Sequence, residues 1–115
     1  MILSWQKKLK ISGNRRFEAL LDFYEKDQND PFILYALALE YMAKNNFGKA
    51  EEFFDRLLKK DPGYVAGYLQ YARLMEKMDK INEAKELYTR GIGAAQKSGD
   101  KKAEKEMEDF LDELN

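Results

Sequence analysis

"YALALEYMAKNNFGKAEEFF", residues 35–54, places small and bulky apolar residues at intervals of three and four. Tyr41 stands three residues beyond Ala38, and Phe54 four beyond Ala50. Side chains so spaced share one face of an α-helix. Between the two sets lies Asn45-Asn46, whose short amides compete for the backbone and tolerate turn geometry. The stretch predicts two helices folded back on each other. Before it, Asp30-Pro31 reads as an N-cap and first helical residue, because proline has no N–H to lose there. Leu34, Leu37, Ala38 and Tyr41 form the apolar run of the first helix. Ala50, Phe53, Phe54 and Leu57 form that of the second, from about Phe47 to Lys60. "KKDPGY", residues 59–64, ends it with lysines on the last carbonyls and a proline that forbids continuation. Such a hairpin cannot bury its apolar side alone.

What it packs against is written 34 residues later. That shift superimposes Leu34 on Tyr68, Leu37 on Tyr71, Ala38 on Ala72 and Tyr41 on Met75. It also places Phe47 on Ile81, Ala50 on Ala84, Phe54 on Tyr88, Glu52 on Glu86 and Arg56 on Arg90. Small residues stay small and bulky ones bulky in one register, which marks an internal repeat. Ala38 and Ala50 have a physical purpose here, since they let paired helices approach closely.

A helix–turn–helix unit of this period resembles the tetratricopeptide repeat. The likeness rests on Leu34, Leu37-Ala38 and Tyr41 in the first helix, and on Ala50, Phe54, Leu57 and Asp61-Pro62 in the second. Tyr68, Tyr71-Ala72, Met75, Ala84 and Tyr88 repeat it. The second unit departs at Gly91, where a larger residue is usual, and at Gln96, which replaces the closing proline. Its last helix is therefore free to run on to Ser98-Gly99. The resemblance implies an all-α fold, a right-handed stack of antiparallel hairpins whose first helices line a concave groove. The expected organisation is a basic arm over residues 1–14 and one helical domain over 15–115, with units at 31–64 and 65–98. Helix "RFEALLDFYEKD", residues 16–27, takes the place of the second helix of a preceding unit. Phe17, Leu20, Leu21 and Phe23-Tyr24 are its apolar side, and Arg16 stands where the alanine would be. Asp100 caps a terminal helix over 100–114, with Ala103, Met107, Phe110, Leu111 and Leu114 inward and acids outward, as a capping unit requires.

Composition narrows the function. The 115 residues include no cysteine and no histidine, so neither a thiolate metal site nor the commonest general base is available. Twenty basic and 21 acidic side chains leave a net charge of −1, which argues against a nucleic-acid partner. Charge is uneven along the chain. Residues 1–16 hold Lys7, Lys8, Lys10, Arg15 and Arg16 with no acid, while residues 100–115 hold seven acids and three lysines. No run approaches the ~18 apolar residues that cross a bilayer, and "MILSWQKKLK" lacks the order of a secretory signal. A cytoplasmic protein is expected, with neither membrane nor cofactor.

Candidate catalytic groups fail on their surroundings. Glu51-Glu52 and Asp109, Asp112 and Glu113 fall on solvent faces among lysines. Gly91 and Gly93 in "RGIGAA" lie inside a helix without the strand, lysine and serine of a phosphate loop. No serine has a histidine to activate it. The expectation is a non-catalytic module.

A second stripe on helix "PFILYALALEYMAK" points to interaction. Phe32, Tyr35, Leu39 and Met42 recur at spacings of three, four and three, on the side that faces the groove in the resembled fold. Leu69, Gln70, Arg73 and Lys77 continue the surface on the next groove helix and turn it polar and basic. An apolar patch of this kind marks a contact surface, and a protein or peptide partner with an acidic end suits it. The alternative is a self-associating homodimer whose groove is filled by a second copy or by the chain's own Ile2, Leu3 and Trp5. Chaperone-binding members of the resembled family hold a terminal carboxylate with lysine and asparagine. Tyr35 and Leu39 stand at those places, and only Gln70 and Arg73 could donate.

Overall fold

The structure, a computed structural model, describes residues 12–115, with side-chain surroundings from Asn14 onward. Residues 1–11 of the basic arm, and with them the docking of Ile2, Leu3 and Trp5, lie outside the described residues. Six helices follow in order: α1 Ser12–Lys26, α2 Pro31–Ala43, α3 Phe47–Lys60, α4 Val65–Lys77, α5 Ile81–Ser98 and α6 Lys101–Leu114. Each packs on the next, and α4 also meets both α2 and α6. The first helices of successive units thus form a continuous layer in a stack extending 51 × 28 × 27 Å.

Local chemistry sets the helix ends. Asp30 caps α2 by accepting from the Phe32 and Ile33 amides at 2.9 and 3.4 Å, with Pro31 in the first turn. Asn46 and Asp100 cap α3 and α6 through the Lys49 and Ala103 amides. Asn45 and Asp79, equivalent in the two units, both adopt positive φ, 61° and 59°, and turn each hairpin. Amide and carboxylate side chains of this length tolerate that region better than most. Gly99, at φ 74°, ends the long α5 where proline would have ended it sooner.

The repeat alanines Ala38, Ala50, Ala72 and Ala84 are wholly buried. Around them run stacked rings: Tyr41 on Phe53 at 5.5 Å, Phe54 on Tyr71 at 5.3 Å, and Tyr88 on Phe110 at 5.7 Å. Gly91 is also buried, and a Cβ there would lie 2.5 Å from Met107 Sδ and 2.7 Å from Tyr68 Cβ. Its departure from the repeat pattern lets α5 seat both α4 and the cap. Two details of the flank differ from expectation. Helix α1 already includes Ser12, four residues before Arg16, and Phe23 is 54% exposed instead of sharing the packed side. Phe23 is equivalent to Leu57, which is fully buried with its side chain beside Gly67 of α4; Phe23 is not covered to that extent among the described residues.

Candidate functional site

Helix α2 carries two different apolar stripes. Leu34, Leu37 and Ala38 are buried, while Tyr41 is only partly so, edge-on to Phe17 at 5.3 Å. On the other stripe Phe32 is 61% exposed; Tyr35, Leu39 and Met42 are half-buried with their inner edges against the core. Leu69 is likewise half-buried against the core, Gln70 is half-exposed, and Arg73 and Lys77 are exposed on α4. Helices α2 and α4 touch, so the apolar and basic groups stand on neighbouring helices of one layer.

Two residues outside the expected set belong to this surface. Tyr64, which precedes α4, sets its ring 5.2 Å from that of Tyr35. Burial pushes both phenols up; for Tyr64 the neighbouring Tyr35, Asp61 and Asp30 add to it. Both hydroxyls therefore stay neutral donors and acceptors at physiological pH. Phe110 of the cap lies under the Arg73 guanidinium, 5.6 Å from its ring centre, which holds that side chain by a cation–π contact. Neither contact is periodic. The tyrosine after "DPG" was the one available signal for Tyr64, and the cap's stripe placed Phe110 in the core alone.

A further polar contact anchors α2 to α1. Glu40 is the one charged residue among those buried in the described chain, and its carboxylate accepts from Arg16 Nε. The arginine found in place of the repeat alanine thus has a partner. Three of the five candidate carboxylates pair with lysines: Glu51 with Lys80 at 3.7 Å, Glu52 with Lys49 at 3.2 Å, and Asp109 with Lys105 at 2.7 Å. Among the described residues no group of three metal-ligating side chains gathers, and no helix is long and apolar enough to cross a membrane.

Residues 41–103 match the family model of the tetratricopeptide repeat. The chain belongs to the tetratricopeptide repeat family. A TPR repeat-containing protein of Pseudomonas aeruginosa is 28% identical over 98 residues, covering 85% of this chain and 93% of its own. The solution structure of a tetratricopeptide repeat domain protein from Salinibacter ruber is 34% identical, covers 77% of this chain and 90% of its own, and superimposes with a TM-score of 0.74. The TPR2B domain of yeast Sti1, solved in complex with pHsp70, reaches 0.83 at 14% identity, covering 95% of this chain and 88% of its own. Such identity speaks for the fold alone. The all-α stack of hairpins is the family's architecture.

Proposed function

We propose that this tetratricopeptide repeat protein is a non-catalytic interaction module, and that a peptide or partner helix docks across Phe32, Tyr35, Leu39 and Met42. One observation carries the proposal: Phe32 leaves 61% of its surface to solvent at the start of a helix whose opposite stripe buries Leu34, Leu37 and Ala38. One exposed and three half-buried apolar residues at helical spacing, beside the Tyr35 and Tyr64 hydroxyls, suit an amphipathic partner. Leu69 and Gln70 extend the contact, and Arg73 and Lys77 receive the partner's acidic end. The Sti1 neighbour's complex with pHsp70 shows that this fold can receive a partner. Tyr35 and Leu39 give this surface no cationic clamp, so its selectivity differs: apolar side chains bind first, and charge orients them.

Affinity capture from native extract with wild type and a Tyr35→Glu/Leu39→Glu double variant tests this. Partners lost from a variant with unchanged helicity support the surface, and identical capture by both proteins overturns it. A peptide ending in an acidic chaperone tail is expected to show no carboxylate-dependent binding by titration; micromolar affinity would contradict the assignment.

A further inference from the structure

Arg56 and Arg90 are equivalent residues 34 positions apart, yet they are employed differently. Arg56 donates to the Tyr24 hydroxyl and, at 3.0 Å, to the Gln28 carbonyl, with its guanidinium over the Tyr24 and Phe53 rings. These bonds close the joint between α3 and the turn after α1. One unit later Leu58 stands for Tyr24, and the hydroxyl is gone. Pro62 stands for Gln28, and its carbonyl already accepts from the Tyr68 hydroxyl at 2.7 Å. Tyr68 in turn replaces Leu34, which has no such group. Arg90 is therefore deprived of both acceptors. Its guanidinium rests over the Tyr68 ring at 5.3 Å, with no hydrogen-bond or ion-pair partner among the described residues.

A cleft of about 510 Å³ opens at this joint, walled by Pro62, Gly63, Tyr68 and Ala94 and edged by Arg90 and Lys97. Lys97 lies two turns beyond Arg90 on α5 and likewise has no carboxylate partner among the described residues. Gly93 leaves the wall between them open, since nothing lies within 4 Å of a Cβ built there. The Asp61 carboxylate beside the cleft accepts the Gly63 amide at 3.1 Å. On its far side Arg90 borders a smaller cleft with Glu51, Asp55, Glu83 and Glu86, none of them within ion-pair range of its guanidinium.

We propose that the larger cleft binds a small organic oxyanion, a carboxylate or phosphate on an apolar body. Arg90 grips the oxyanion in the planar, two-pronged manner that guanidinium favours, Lys97 adds charge, and Pro62 and Ala94 receive the apolar part. The volume lies in the range of small-molecule sites, and the lining combines apolar carbons with two cations at the rim of an open cleft. This site is independent of the α2 surface.

Amide shifts of the full chain, titrated with phenyl phosphate, benzoate, inorganic phosphate and neutral benzamide at constant ionic strength, test it. The expected result is saturable movement of the Gly63, Gly93 and Lys97 signals by phenyl phosphate or benzoate, with inorganic phosphate weaker and benzamide inert. Which of the two aromatic anions binds tighter distinguishes a phosphate from a carboxylate ligand. Arg90→Gln should weaken binding about tenfold, as loss of a charge-assisted hydrogen bond does. Gly93→Leu, which fills the cleft from a helix position that tolerates a side chain, should abolish it, while Tyr35→Glu/Leu39→Glu leaves it intact. Shifts that never saturate and spread over all surface lysines would overturn the site. So would wild-type curves from Arg90→Gln, the result expected if Arg90 turns to the carboxylates behind it.

Discussion

Two glycines on one helix, Gly91 and Gly93, separate what a side chain costs from what it contributes. Both lie inside α5, where replacing glycine by alanine raises helix stability by about 1 kcal/mol when nothing obstructs the methyl group. Nothing obstructs it at Gly93, so Gly93→Ala is expected to raise the urea midpoint. At Gly91 the new methyl would meet Met107 Sδ and Tyr68 Cβ inside 3 Å. The sulfur can swing aside, but Tyr68 Cβ is fixed to its backbone. Gly91→Ala should therefore cost about 1–3 kcal/mol, the range for overpacking a filled core. Equal effects at the two sites would show that the cap does not seat against α5 as described. Glu40 poses a similar question of surroundings: its side chain is 11% exposed and that of Arg16 60%. Arg16→Ala leaves a carboxylate short of its donor, and about 1–2 kcal/mol of destabilisation is expected, discounted for the solvent around the arginine.

Between helices, two tyrosines act as polar rivets in an apolar seam. Tyr71 on α4 donates to Asp55 on α3 at 2.9 Å, joining the two hairpins, and Tyr88 on α5 donates to Glu76 within the second. Burial and then the bonded carboxylate push both phenols well above their ordinary range. A group whose folded pKa is raised adds stability that is full below its unfolded value, about 10 for tyrosine, and is lost as pH rises beyond it. Urea midpoints of wild type should thus fall steeply above about pH 10. Tyr71→Phe and Tyr88→Phe should each start about 1 kcal/mol lower at pH 7 and decline less steeply; parallel curves would refute the linkage. These helices and their pairing were legible in the sequence because Ala38, Ala50 and their counterparts keep one register over a whole unit. Asp30 and Asp100 announced two helix starts through their capping carboxylates, whereas Asn46, read only as part of a turn, proves to cap α3 as well. Phe23 departs from the expected packing because periodicity tells which residues share a face, and not whether a neighbour covers it. Tyr64 against Tyr35, Phe110 under Arg73 and Arg16 on Glu40 escaped notice since each joins different helices or a loop at no fixed spacing. The unmatched Arg90 was within reach: aligning Tyr24 with Leu58 and Leu34 with Tyr68 shows its acceptors replaced.

The whole molecule is a short linear array, in which each unit is stabilised chiefly by its neighbours and the ends differ from the middle. Here the two ends also differ from each other. Helix α6 packs on both α5 and α4, and it buries Met107 completely and stacks Phe110 on Tyr88. Among the described residues, helix α1 meets the array in backbone approach through α2 alone, with Leu20 its one buried apolar residue and Phe23 largely turned to solvent. Local opening tracks such differences, because an element with few buried contacts separates at a lower free energy than the core. Hydrogen exchange should therefore free the amides of α1 first, while those of α6 stay protected nearly as long as α4 and α5. Met107→Ala should cost about 2–5 kcal/mol, as deletion of a buried methionine side chain does, and should speed exchange in α5 and α6 more than in α2. Phe23→Ala should cost far less than Met107→Ala and leave the order unchanged, since its ring stays 54% exposed on folding. Should α6 exchange before α1, the cap would be an appendage, and the surface formed by Arg73 over Phe110 would lose its fixed wall.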